Sequence, residues 1–145
     1  MDRAPHLSLA GQNILITGAS GGVGRVLVER VAALGARPVI HYVHNRDGAE
    51  ELLASIGGTG LVVQADLADP LEATSLWTRS ERACGRLHAL INNAGIRATT
   101  HIEDHLTDWQ RAWETDVRIN LLAPADLCRS AISHFRQHGG GRIIN

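Results

Sequence analysis

The chain has 145 residues, 44 % hydrophobic and 20 % charged, with a formal net charge of −1. That is length enough for one soluble domain with its own core, and the near-neutral charge argues against nucleic acid or an anionic membrane surface as partner. The only cysteines, Cys84 and Cys128, lack C-x-x-C spacing and read as free thiols. Met1 to Ala10 holds no signal-peptide run, and no stretch approaches the ~20 apolar residues of a membrane span, so the cytoplasm is the expected location.

After a polar lead-in over residues 1–11, a first strand is expected at about Asn13–Thr17 and a helix at about Gly22–Leu34, closed by Gly35. A second strand follows over Val39–Val43, a helix from near Asp47 to Ile56, and a third strand over Leu61–Val63. A helix over Pro70–Ala83, a fourth strand over Leu87–Ile91, one long helix from Thr107 to His138 and a fifth strand begun by Arg142-Ile143-Ile144 complete the chain. Strand and helix alternate without break, and the strands are unbroken apolar runs. The expectation is a single α/β domain with a doubly wound parallel sheet, truncated after the fifth strand. Stopping there leaves a sheet edge and an apolar helix face open.

The stretch between the first strand and first helix is Thr17-Gly18-Ala19-Ser20-Gly21-Gly22-Val23-Gly24. Glycines let a ligand approach the backbone, and the helix behind them turns free N–H groups and the positive end of its dipole toward the turn, a geometry that binds phosphate. The G-x-x-x-G-x-G spacing differs from G-x-G-x-x-G, and no Lys-Ser or Lys-Thr follows, which argues against a mononucleotide P-loop. A tight turn without ligand is the alternative. In such sheets ligands sit beyond the carboxyl ends of the strands, where Asp66 and Asn92-Asn93-Ala94-Gly95 also fall. Asp66 as a helix cap and the two Asn in an Asx-turn remain open readings.

Within the long helix, Pro124 stands four residues after Asn120. Proline has no N–H, so the helical bond to the Asn120 carbonyl cannot form. A bend or bulge is expected there, and a plain proline kink is the alternative.

Thr17-Gly18-x-x-x-Gly22-x-Gly24, Ala65-Asp66-Leu67, Asn92-Asn93-Ala94-Gly95 and Asn120-Leu121 stand in the order and spacing of the classical short-chain dehydrogenase/reductases, which the sequence resembles over essentially its whole length. The resemblance implies a Rossmann fold, with the pyrophosphate site framed by Gly18, Gly22 and Gly24 and completed by Ser20, Gly21 and Val23. It implies that Asp66 accepts from the adenine amino group, with Leu67 beside it, and that Asn93, Ala94 and Gly95 line the adenosine ribose. Asn120 matches that family's active-site Asn, whose carbonyl holds a water of the proton relay. The family's catalytic Ser and Tyr-x-x-x-Lys belong after the fifth strand. This chain has one tyrosine, Tyr42, and no lysine. As given, it is expected to be inactive, the cofactor half of a longer reductase acting on a small carbonyl or alcohol substrate. The relatives in view are 3-oxoacyl-thioester reductases and, on the His41-Tyr42 pair, pteridine reductases. A non-enzymatic dinucleotide-binding sensor or scaffold is the alternative.

NAD-preferring members carry an acid at the end of the second strand. Here the segment reads Tyr42-Val43-His44-Asn45-Arg46, with no acid before Asp47. His44, Asn45 and Arg46 suit a 2′-phosphate through charge-assisted bonds, so NADP is expected before NAD; a solvated polar turn is the alternative. The His101/His105 and His134/His138 pairs lack the Glu of H-E-x-x-H, and no metal site is expected. Thr107-Asp108-Trp109-Gln110 fits a capping box. Trp109, Trp113 and Val117 share one helix face, read as packing, and the resemblance implies a dimer or tetramer through the 107–138 helix.

Overall fold

The computed structural model describes residues 8–145, so the first seven residues of the lead-in lie outside the described residues. The elements are β1 (Asn13–Ile16), α1 (Gly22–Ala33), β2 (Arg37–Tyr42), α2 (Arg46–Ser55), β3 (Leu61–Gln64), α3 (Pro70–Cys84), β4 (Ala89–Ile91), α4 (Leu106–Val117), a π-helical turn (Arg118–Leu122), α5 (Ala123–Gln137) and β5 (Arg142–Ile144). The strands form one parallel sheet in the order β3-β2-β1-β4-β5. Ile14, Leu15 and Ile16 of β1 pair with Pro38, Val39 and Ile40 on one side and with Ala89, Leu90 and Ile91 on the other. This is the doubly wound α/β fold expected from the alternating pattern. The order reverses between β1 and β4, and the crevice of such a sheet opens beyond the carboxyl ends of those strands.

Side-chain alternation along the strands divides the core between the two faces. Leu15, Val39 and Leu90 pack with Leu76, Trp77, Leu127 and Phe135 of α3 and α5. Ile14, Ile16, Ile40 and Ile91 pack on the opposite face with Val28 of α1 and Leu52 of α2. Both faces are covered, which is why each strand reads as a continuous apolar run.

The expected single helix from Thr107 to His138 is instead α4 and α5 joined by the π-helical turn. Pro124 supplies the physical reason. It has no N–H, and its ring presses on the carbonyl four residues back. The backbone widens ahead of it, and the Ala123 N–H bonds to the Arg118 carbonyl. An Arg118–Asp126 ion pair spans the widened turn.

Two further expectations are corrected. Helix α4 begins one residue early, and its cap is His105, whose Nδ1 accepts the Thr107 N–H at 3.3 Å, rather than Thr107 in a capping box. Trp109, Trp113 and Val117 are 38, 50 and 43 % exposed, and no residue of α4 is buried. The stripe is therefore not part of the core, and the Trp109 and Trp113 rings stand in contact with each other, centroids 5.8 Å apart. The His134/His138 pair serves the fold. His134 is buried, bonding the Leu87 amide at 3.1 Å and Glu81 at 3.0 Å, and His138 stacks on it.

Replacing the fully buried Leu127 by Ala should cost about 2–5 kcal/mol, read from the urea midpoint. Trp113→Ala should change stability by no more than about 0.5 kcal/mol. A large loss for Trp113→Ala in the monomeric chain would show that the α4 stripe is packed after all.

Candidate functional site

The chain leaves β1 fully buried and must turn at once to begin α1. Gly18 at φ +60° and Gly22 at φ +54° take left-handed conformations that other side chains resist. A Cβ on Gly18 would also sit 2.8 Å from the Ala94 Cα, so the loop after β4 closes on the turn because residue 18 is glycine. Gly24, buried in the first turn of α1, packs tightly too. A Cβ there would stand 2.7 Å from the Asn93 amide nitrogen and 2.8 Å from Ala19 Cα. Gly21 behaves differently. Its backbone is extended and a Cβ would meet nothing within 4 Å. The protein itself leaves that space empty.

Helix α1 starts from Gly21 with no side-chain cap and no acid in its first turn. The starts of α2, α3 and α4 are capped by Asn45, Asp69 and His105. The first N–H groups of α1 therefore lack a side-chain partner, and its dipole is uncompensated, which favours an anion.

Thr17 ties this turn to β4. Its hydroxyl accepts the Asn93 N–H at 3.0 Å and the Ala94 N–H at 2.9 Å, and it donates to the Ile91 carbonyl at 3.4 Å. The Asn93 side-chain amide in turn donates to the carbonyls of Thr17 at 2.9 Å and Gly18 at 3.1 Å. On the other side stands His41, fully buried in β2. Its Nδ1 accepts the Gly18 N–H at 2.9 Å, and its Nε2 lies 2.9 Å from the Ala65 carbonyl. A carbonyl only accepts, so Nε2 carries the proton and the ring is neutral. Burial pushes the His41 pKa below its ordinary 6.5, aided by Arg79 and opposed by the Ala65 bond and by Asp66.

A groove of about 500 Å³ opens over these strand ends, a size suited to a small-molecule ligand. Of the residues singled out from sequence, Gly18, Gly21, Val23, His44, Asp66, Leu67, Asn93, Ala94 and Gly95 line it. Ser20 is half-buried in the turn, Gly22 is exposed at the start of α1, and Gly24 is buried behind it. Asp66 does not cap α3, a task that falls to Asp69; one Asp66 oxygen accepts the Ala68 N–H at 2.9 Å. Asn45 caps α2 by accepting the Gly48 N–H, and Arg46 pairs with Glu50 at 2.7 Å on the exposed side of α2. Neither lines the groove. His41, Val43, Ile96 and Ile119 do line it and were not singled out as site residues. Sequence spacing carried a signal for none of them except His41, a titratable residue inside an otherwise apolar strand.

Asn120 sits in the π-helical turn beside Ile119. Its side chain makes a reciprocal pair with the Ile96 backbone, Oδ1 accepting the N–H at 2.9 Å and Nδ2 donating to the carbonyl at 2.8 Å. Asp116 of α4 accepts the Ala98 N–H at 2.9 Å. The loop after β4 is thereby fastened to the helix at two points. Both polar ends of the Asn120 side chain are engaged, and proline at 124 removes the helical donor from its carbonyl.

Thr17→Val keeps the shape of the side chain and strands an amide. It should lower stability by about 1–3 kcal/mol in denaturant unfolding, and a change below about 0.3 kcal/mol would show that the hydroxyl does not hold the loop.

The sequence family described as short chain dehydrogenase matches residues 12–145. A short-chain type dehydrogenase/reductase of Picea abies is 35 % identical, the match covering 94 % of this chain and 54 % of that protein. A 3-oxoacyl-[acyl-carrier-protein] reductase of Synechocystis is 34 % identical, with 95 % and 56 % covered. A solved short chain dehydrogenase from Burkholderia cenocepacia, in complex with NADP, superposes with a TM-score of 0.79 at 31 % identity, covering 87 % of this chain and 51 % of that one. The chain spans about half the length of the curated relatives it matches. With the family match over residues 12–145 and a parallel sheet whose glycine turn, Asp66 and Asn93 meet in one groove, the chain belongs to the short chain dehydrogenase family.

Proposed function

We propose that this chain is the cofactor-binding part, a single incomplete Rossmann domain over residues 1–145, of a cytoplasmic NADP-dependent oxidoreductase acting on a small carbonyl or alcohol substrate. One observation carries the reading: the uncapped start of α1, the unfilled space over Gly21 and the Asp66 carboxylate all border one groove at the switch point of the sheet. Gly18, Ser20, Gly21, Gly22, Val23 and Gly24 would hold the pyrophosphate through backbone N–H groups, Asp66 and Leu67 the adenine, and Asn93, Ala94 and Gly95 the ribose. The bound nicotinamide supplies hydride transfer. The matched 3-oxoacyl reductase supports thioester-linked 3-oxoacyl substrates, and the His41-Tyr42 pair supports pteridines. The exposed α4 stripe supports a homo-oligomer.

The preference for NADP rests on β2. No acid stands between Tyr42 and Arg46, and His44 borders the groove. Arg46 is held only by an exposed pair with Glu50, an interaction weak enough to exchange for a 2′-phosphate. Tyr42, the chain's one tyrosine, is buried in the core against α1 and α2 and is not placed as an acid or base. Turnover by these 145 residues alone is therefore not expected.

Titration of the chain should show tighter binding of NADPH than NADH. The preference should shrink with salt and be lost in Arg46→Glu, with no NADPH oxidation on adding an acetoacetyl thioester. Tighter NADH binding would defeat the cofactor assignment.

The Asn120 carbonyl, freed by Pro124, is proposed to hold a relay water. Pro124→Ala supplies an N–H, so the 118–122 segment should return to α-helical bonding, seen as new amide-exchange protection at residue 124. Its effect on stability should be neutral or favourable. In a version carrying the remainder of the enzyme, turnover should fall more than cofactor affinity. An unchanged π-helical turn in that variant would remove proline as its cause.

A further inference from the structure

His41 is a titratable group at the centre of the fold that the proposed chemistry does not use. It holds the glycine turn twice. Its ring Nδ1 accepts the Gly18 N–H at 2.9 Å, and its main-chain carbonyl accepts the Ala19 N–H at 2.8 Å. Its Nε2–H bonds the carbonyl of Ala65, the residue before Asp66. One imidazole thus joins the start of the turn to the residue preceding the proposed adenine acceptor, across the floor of the same groove. A core leucine there would fill the volume and leave both Gly18 N–H and Ala65 C=O unpaired.

We propose that His41 is a positioning residue for the dinucleotide: as a neutral ring in one tautomer it fixes the spacing between the glycine turn and Asp66, and the groove binds its cofactor only while that ring is uncharged. The inference rests on the cofactor reading above. Protonating Nδ1 sets one N–H against the Gly18 N–H, so the bond is lost and the turn released. The charged groups bearing on the ring are Arg79 of α3, which opposes protonation, and Asp66 after β3, which favours it. Because burial holds the folded pKa below the ordinary value, the neutral form and the binding it supports persist at pH 6.5 and somewhat below it. They are lost only as the pH falls through the depressed folded value.

The test uses the 145-residue chain and oxidised NADP, which tolerates acid. Dissociation constants are measured by calorimetry for the unmodified chain, His41→Gln and His41→Leu, from pH 8 down to the lowest pH at which each is folded by circular dichroism. Glutamine offers a carbonyl to Gly18 and an amide to Ala65 but does not titrate. At pH 7.5, His41→Leu should bind about tenfold more weakly or worse, and His41→Gln within about threefold of the unmodified chain, a tenfold step being one decade in the equilibrium constant. As the pH falls through the depressed His41 value, affinity should fall more steeply for the unmodified chain than for His41→Gln. Every other titrating group is common to the two proteins, so the difference isolates His41. The imidazole nitrogen shifts should report an Nε2–H tautomer, and Gly18 amide exchange should accelerate in His41→Leu alone. A purely structural role would lower the unfolding midpoint of His41→Leu and leave the affinity of its folded form unchanged. That result, or parallel pH profiles for the unmodified chain and His41→Gln, overturns the proposal and leaves the cofactor reading standing. Absence of dinucleotide binding by the unmodified chain at every pH overturns both.

Discussion

The hydroxyl of Thr17 is the point at which the sheet becomes a site. It stands at the carboxyl end of the middle strand, where two amides of the β4 loop converge on it and it reaches the Ile91 carbonyl in return. A hydroxyl has one donor and two acceptor positions, and all are in use. Because β1 pairs on both sides, any displacement of Thr17 would pass into β2 and β4 together. The glycine turn inherits its position from this anchor. Gly18 can approach Ala94, and Gly24 can approach Asn93, only because the loop is already drawn to Thr17.

Around that anchor the polar side chains divide into those that hold backbone and those left for a ligand. Asn93, His41, Asn120 and Asn45 each bond main-chain groups. What stays open is the start of α1, the space over Gly21 and an edge carrying Asp66 and His44. The groove thus has a positive dipole end facing the turn and a carboxylate at its far side. That polarity suits a ligand with an anionic centre and a hydrogen-bond donor at one end.

The order of elements, the glycine turn and the placing of Asp66 and Asn93 at strand ends were legible in the sequence, since each depends on local period or on residues a few positions apart. Four features were not, and each has a physical cause. His41 stood out only as a titratable residue in a mostly apolar strand, and its role was hidden because its partners, Gly18 and Ala65, are 23 and 24 residues away. Pro124 declared a missing hydrogen bond and a bend or bulge near Asn120, but not that the bulge would be a π-helical turn, whose widening involves Arg118 and Asp126 on either side. The i, i+4, i+8 stripe of Trp109, Trp113 and Val117 was equally compatible with a core and with a surface, and periodicity alone does not distinguish them. The cap of α4 moved from Thr107 to His105 because the ring nitrogen of a histidine serves as an acceptor that capping patterns do not count.

Asn120 shows how these levels join. A widened turn in mid-helix is held against regular α-helix by its neighbours. Here proline withholds the donor that would close the turn, the Arg118–Asp126 pair bridges it, and the Asn120 side chain is bound at both ends to Ile96. Under the proposed reading, with that amide committed to the loop, the group left to serve a proton relay is its main-chain carbonyl. A main-chain carbonyl survives any substitution at its own residue, so its chemistry is controlled from elsewhere. Control falls to residue 124, which decides whether a competing N–H exists, and to the 120–96 pair, which decides where the carbonyl sits. Under the proposed reading, position 124 therefore acts on the site through a hydrogen atom it lacks.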